Sequence, residues 1–297
     1  MKNMANKPMR IAFQGELGAF SQVAAEQMAA GRAMEPVPFP TFDAAFLSVV
    51  NGKTNAAAIP IENTLHGSVH ENYDHLLKYD LQITSETFVR IVHNLIAAPG
   101  VKFTDIRSVY SHPVAINQCP HFFAQNPDIQ RTPFYDTAGS VKMMMEQGLR
   151  DAGAIASATA AKNYGARILK RSIEDDRENY TRFFLLEKQG LKTTGSRAAR
   201  ALVSPPPRSQ PGTWKTSLVF TTRNTPGSLF KSLAAFSLRD LSLTKIESRP
   251  LRGKPWEYLF YLDFLGHVKD VEATNAIRHL TELADMLRIL GCYPAAK

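Results

Sequence analysis

Residues 188–215, KQGLKTTGSRAARALVSPPPRSQPGTWK, constrain the fold most, because this stretch cannot join the core on either side. It holds Lys188, Lys192, Arg197, Arg200, Arg208 and Lys215, no acid, and Pro205, Pro206, Pro207 and Pro211. Prolines lack a backbone donor and like charges repel, so it reads as a solvated linker. The expected division is therefore a first domain at 1–188, a basic proline-rich linker at 189–213 and a second domain at 214–297. The stretch 188–215 also accounts for most of the formal charge of +8, since 8 − 6 leaves only +2 elsewhere. A nucleic-acid surface needs basic residues on a folded face or interleaved with aromatics, so no nucleic-acid partner is expected.

The two flanking regions have different rhythms. Downstream, KTSLVFTT, LSLTKIESRPL, WEYLFYLDFLG and RILGCYP read as strands, and PGSLFKSLAAFSLRD and VEATNAIRHLTELADML as helices. That order is βαββαβ, a ferredoxin-like domain with one open sheet face. Upstream, the apolar runs MRIAFQG, AAAIPI, VYSH, AGAIAS and RFFLLE alternate with amphipathic helices, among them one continuous helix over PVAINQCPHFFAQ. This is an α/β pattern around a mostly parallel sheet, where ligands bind at strand-to-helix junctions. No apolar run approaches the roughly 18 residues that span a bilayer, so no membrane is expected. MKNMANKPMR lacks signal or transit character, which places the expected location in the cytoplasm. Cys119 and Cys292 lie too far apart in sequence for a disulfide framework or a cysteine zinc site.

Five junctions carry polar residues. QGELGAFS brings glycines and Ser21 to a helix start, where N–H groups favour an anion. PIENT offers Glu62, Asn63 and Thr64; YSHP with NQC offers Ser111, His112 and Gln118. YDTAGS offers Thr137 and Ser140, and NYTRFFLL puts Thr181 and Arg182 at a strand start. Each alone is compatible with ordinary capping. His66, His70 and His75 stand near Glu71 and Asp74, but Gly67 and Ser68 interrupt the helix between the first two. They read as a surface cluster, and no metal is expected.

Taken together, QGELGAFS, PIENT with the following GS and NYD, YSHP with QC, DTAG and NYTRF resemble the catalytic region of prephenate dehydratases. The downstream segment resembles their regulatory ACT domain, with PGSLFKSLAAF and LTKIESRP where the family carries effector motifs. The resemblance implies a two-lobed catalytic region, like a periplasmic binding protein, and a cofactor-free lyase. Prephenate would lose its ring carboxylate and hydroxyl to give phenylpyruvate, in phenylalanine biosynthesis. Thr181 would assist the leaving group. Asn63, Ser111 and Gln118 would line the cleft, and Arg182 and Phe183 complete the TRF motif, with Glu62 beside Asn63. His112 is a candidate proton relay, equally readable as a structural histidine before Pro113. An arginine together with helix N-termini would hold the substrate carboxylates. Phenylalanine would bind between two ACT domains through the loop at Gly227, Ser228 and Leu229 and the segment Glu247, Ser248, Arg249 and Pro250. A homodimer or a dimer-of-dimers tetramer is implied. Arogenate dehydratases share every motif, and a non-enzymatic amino-acid-sensing binding protein is a reading of another class.

Overall fold

The computed structural model describes residues 7–188, 213–251, 253–254 and 256–296. Apart from Thr213, the expected linker lies outside the described residues. The chain forms two compact units, one of residues up to Tyr79 with Thr87–Leu185, the other of Asp80–Glu86 with Leu186–Lys297.

In the first unit the chain builds a lobe from β1 (Met9–Gln14), α1 (Phe20–Ala29), β2 (Met34–Phe39), α2 (Phe42–Val50), β3 (Ala56–Asn63), the short β4 (Gly67–Ser68) and α3 (His70–Lys78). It continues through β5 (Leu81–Arg90) into a second lobe. That lobe comprises β6 (Asn94–Ala97), β7 (Ser108–Ser111), α4 (Pro113–Asn117), α5 (Pro120–Ala124), β8 (Gln130–Pro133), α6 (Thr137–Glu146), β9 (Ala152–Ala156), α7 (Ala158–Asn163) and β10 (Arg167–Lys170). The chain returns to the first lobe as β11 (Tyr180–Lys188). The strand orders are β11-β3-β1-β2 in the first lobe and β10-β6-β9-β7-β8 in the second. This is the two-lobed α/β arrangement of periplasmic binding proteins.

Local chemistry explains where the sequence pattern misleads. MEPVPF carries Pro36 and Pro38 yet forms β2, which among the described residues pairs only with β1, in parallel. An edge strand tolerates missing donors that a central strand does not. The helix expected over PVAINQCPHFFAQ is two helices. Pro120 has no N–H to continue the ladder and excludes helical geometry at Cys119, whose φ is −127° and ψ 38°. β3, by contrast, is buried from Ala56 to Ile59 and at Ile61, as a central strand flanked by helices should be, and opens toward its end at Glu62 and Asn63.

The second unit follows the expected order: β12 (Trp214–Thr222), α8 (Ser228–Ser237), β13 (Leu243–Pro250), β14 (Tyr258–Leu265), α9 (Val271–Leu283) and β15 (Ala284–Pro294). Its antiparallel order β13-β14-β12-β15 is ferredoxin-like. Leu218, Phe220, Phe236, Leu262, Phe264 and Leu280 form the core beneath the two helices. Residues 80–86 group here because Ile83 pairs in parallel with Gly291, so the division differs from one drawn at the linker. At Gly291 a Cβ would lie 2.2 Å from the Ile83 carbonyl oxygen, so only glycine allows this approach.

Candidate active site

A cavity of ≈ 340 Å³ opens between the lobes of the first unit. At its wall the end of β3 lies beside the start of β11. Beyond Asn63, the Thr64 N–H donates to the Tyr180 carbonyl (2.9 Å). The Thr64 hydroxyl donates to the Glu178 carbonyl (2.7 Å) and accepts from the Tyr180 N–H (3.0 Å). Thr64 therefore clamps the two strand ends together and does not line the cavity. The clamp fixes Asn63, whose Nδ2 donates among Asn179 Oδ1 (2.8 Å), the Tyr180 carbonyl (3.1 Å) and Thr181 Oγ1 (3.0 Å). Its Oδ1 accepts from the Leu65 and His66 N–H groups, both at 3.0 Å. With its orientation set at both ends, Asn63 gives Thr181 Oγ1 a hydrogen bond, leaving the hydroxyl proton available to a cavity ligand.

The second lobe contributes Gln118, just beyond α4. Its Oε1 lies 2.7 Å from His93 Nε2, and its Nε2 lies 3.3 Å from His66 Nδ1. His93 is almost fully buried, which pushes its imidazole below the usual histidine range despite the hydrogen bond it makes to the Gln118 amide oxygen. Its backbone N–H donates to Glu174 Oε2 (2.9 Å), and Arg90 Nη2 holds the other carboxylate oxygen at 3.0 Å. His112 caps α4, with Nδ1 accepting from the Val114 N–H (3.2 Å), and also lines the cavity.

Two longer helices begin at the cavity. Ala19 precedes α1 and offers no side-chain cap, so the first N–H groups around Phe20 and Ser21 are left for a ligand or water. Asp136 caps α6, accepting from the Gly139 N–H at 2.6 Å, with Thr137 beside it at the cavity wall. Burial raises the Asp136 carboxyl, helped by the neighbouring Glu16 charge and opposed by that N–H. The Tyr135 phenol is pushed up to about 12 by desolvation and by Glu16, which it meets at 3.2 Å. The glycines of QGELGAFS serve close packing. A Cβ on Gly15 would sit 2.9 Å from Asp136 Oδ2, and one on Gly18 would sit 2.4 Å from Ala160 Cα.

The cavity thus gathers Ser21, Asn63, His112, Gln118, Thr137 and Thr181 of the expected set. The others lie elsewhere. Ser111 is fully buried and donates to the Ile155 carbonyl (2.7 Å), and Ser140 is fully buried and donates to the Thr137 carbonyl (2.6 Å). Phe183, two residues along the strand from Thr181, packs in the core with Ile11, Ala24 and Met28 and is absent from the cavity wall. Arg182 is buried with its guanidinium over the Phe184 ring at 4.7 Å, so the expected arginine is not at the cavity. Glu62 pairs with Ser68 in the β3/β4 ladder and is absent from the cavity wall. The expected histidine surface cluster is dispersed. His66 lines the cavity, while His75 is buried with Nε2 3.3 Å from Glu71 and Nδ1 3.6 Å from Asp43. His66, His93, Tyr135 and Asp136 were not expected at the site. His93 hides in an apolar run, and Asp136 reads in sequence as a helix cap.

In the second unit a cavity of ≈ 200 Å³ is lined by Gly227, Ser228 and Leu229 together with Arg223, Trp256 and Tyr258. Gly227 has φ +78°, which suits glycine at the start of α8. Glu247, Ser248, Arg249 and Pro250 pair along β14 opposite Tyr261, Phe260, Leu259 and Tyr258, and they do not line this cavity.

The family model described as "Prephenate dehydratase" matches residues 11–190. Arogenate dehydratase/prephenate dehydratase 2, chloroplastic, of Arabidopsis thaliana is 42% identical over 96% of this chain and 73% of its own length. Among solved structures, the prephenate dehydratase of Arthrobacter aurescens in complex with L-Phe superposes with TM-score 0.83 at 29% identity, covering 97% of this chain and 90% of its own. GqqA, described as a novel type of quorum quenching acylase, also gives TM-score 0.83, at 32% identity over 96% of this chain and 98% of its own. With the family model covering well over half of its length, the chain belongs to the prephenate dehydratase family, the dehydratases of phenylalanine biosynthesis.

Proposed function

We propose that the chain converts prephenate to phenylpyruvate and that its C-terminal unit is an ACT domain binding phenylalanine as an effector. The observation that carries the catalytic part is the Asn63 to Thr181 hydrogen bond at the cavity wall, 3.0 Å, with Oγ1 as acceptor. In the reaction the bond from the ring to the carboxylate breaks, and its electron pair completes the aromatic ring. The C–O bond breaks in turn, and hydroxide leaves with its electron pair. Carbon dioxide and, after one proton is taken up, water are released. Aromatisation supplies the driving force, so the protein must chiefly orient the substrate and stabilise the departing oxygen.

Thr181 fits the second task, as a neutral donor whose oxygen is already held. It is a poor acid, so the proton comes from a neighbour such as His112 or from water. The first helical turns at Ser21 and Thr137 suit the carboxylates. Asn63 and Gln118 would orient the ring. Phenylalanine at Gly227, Ser228 and Leu229 would couple to turnover by about 1 to 3 kcal/mol, with the segment Glu247 to Pro250 facing a second copy in a dimer or tetramer.

The 42% identity to a protein named for both activities favours arogenate as the second reading. Parallel assays of phenylpyruvate from prephenate and phenylalanine from arogenate test both. Turnover of prephenate with the larger kcat/KM is the expected result. Preference for arogenate supports the second reading, and inactivity on both, in folded protein, overturns the proposal. Calorimetry with phenylalanine on wild type and Ser248→Ala tests the effector part.

A further inference from the structure

His66 joins the two amides that stand on opposite sides of the cleft. Its Nδ1 lies 3.3 Å from Gln118 Nε2 in the second lobe and 3.3 Å from Asn63 Oδ1 in the first. These contacts make opposite demands. An amide nitrogen can only donate, so Nδ1 must present a lone pair to Gln118. An amide oxygen can only accept, so Nδ1 must carry a proton to bond Asn63. The surroundings decide between them. Asn63 Oδ1 already accepts two backbone N–H groups. Gln118 Oε1 takes a hydrogen bond from His93 Nε2, which turns the amide nitrogen toward His66. Neutral His66 therefore completes a chain from His93 through Gln118 to His66, and a proton on Nδ1 breaks it.

We infer that His66 is a positioning residue that ties Gln118 across the cleft in its neutral form and releases it when protonated. This rests on the reading of the cavity as the active site. The titratable groups sharing that wall are His93 ahead of β6, His112 ahead of α4, and Tyr135 and Asp136 ahead of α6. An asparagine at 66 would place an oxygen where Nδ1 stands, an acceptor that no proton displaces.

The test is kcat/KM against pH for wild type, His66→Asn, His66→Ala, Gln118→Ala and the His66→Ala/Gln118→Ala pair. His66→Ala is expected to lower kcat/KM about 3- to 10-fold, the worth of one hydrogen bond between neutral groups. The pair should fall no further than Gln118→Ala alone. His66→Asn should restore most of the rate and extend activity to lower pH. Losses that multiply in the pair, or an acid limb unchanged in His66→Asn, overturn the inference. The ring nitrogen-15 shifts of unliganded protein, assigned by the signals lost in His66→Asn, should show the Nε2–H tautomer at neutral pH. An Nδ1–H tautomer overturns it without reference to any substrate. Wild-type inactivity on both substrates would refute the assignment of the active site and leave the tautomer measurement standing.

Discussion

Asn63→Asp changes one atom group and reverses one hydrogen bond. In the wild type the Asn63 amide donates to Thr181 Oγ1, so under the proposed function the threonine proton is free for the leaving oxygen. A carboxylate there has no proton to give, and the Thr181 hydroxyl 3.0 Å away turns its own proton toward it. The proton that would meet the departing hydroxide turns to the wall instead. Loss of one such donor to developing negative charge costs about 10² to 10³ in kcat, or about 3 to 4 kcal/mol. The negative charge also opposes an anionic substrate and raises KM.

Stability should change far less. The Leu65 and His66 N–H groups bond a carboxylate more strongly than an amide. Asn179 is fully buried with its Nδ2 unpartnered, so turning its amide over offers that donor to the new carboxylate in place of the Oδ1 contact at 2.8 Å. The net change in unfolding free energy is expected within about 1 kcal/mol. Adding Asn179→Leu removes this compensation and should cost a further ~1 to 3 kcal/mol. Phenylpyruvate formation and urea unfolding on the same preparations read both quantities. A kcat within about threefold of wild type in folded protein would refute the direction assigned to the Asn63 to Thr181 bond.

Gly18→Ala combines a φ of +95° with a methyl 2.4 Å from Ala160 Cα. Left-handed strain of about 1 to 2 kcal/mol and overpacking of about 1 to 3 predict a loss of roughly 2 to 5 kcal/mol, visible in the urea midpoint. In the second unit Lys215 Nζ meets Glu86 Oε1 at 2.7 Å, with both side chains almost fully buried. Lys215→Met removes the cation beside a buried carboxylate that also accepts the Ala296 N–H at 3.1 Å, and should cost about 3 to 5 kcal/mol, most of it recovered by adding Glu86→Leu. Asp136 has its folded pKa raised by burial, so wild-type stability falls as pH rises through that value. Asp136→Asn keeps an oxygen for the Gly139 N–H, should be more stable than wild type at neutral pH, and should lose that advantage as pH falls into the carboxylate range; thermal unfolding at several pH values reads this.

The ferredoxin-like unit was legible because its strands are short runs of apolar and β-branched residues and its helices carry an apolar stripe, properties set by residues adjacent in the chain. β2 was not legible, since its prolines are tolerated only at an edge that pairing alone defines. The site divides in the same way. The order PIENT, YSHP, DTAG, TRF pointed to Asn63, Gln118, Thr137 and Thr181, all of which line one cavity. The same motifs also contain Ser111, Ser140 and Phe183, whose side chains are spent on a carbonyl, a helix turn and a core. His66 looked like a member of a histidine cluster, and His93 like part of an apolar run. What the chain fixed by itself was therefore the kind of chemistry and the elements that carry it, because motif spacing and hydrophobic period are local. Which hydroxyls face the cavity, and that Asn63 and Gln118 meet through His66, was decided only when residues 52 positions apart came within hydrogen-bonding distance. Burial and hydrogen-bond direction are properties of that packing, and neither is present in an unfolded chain.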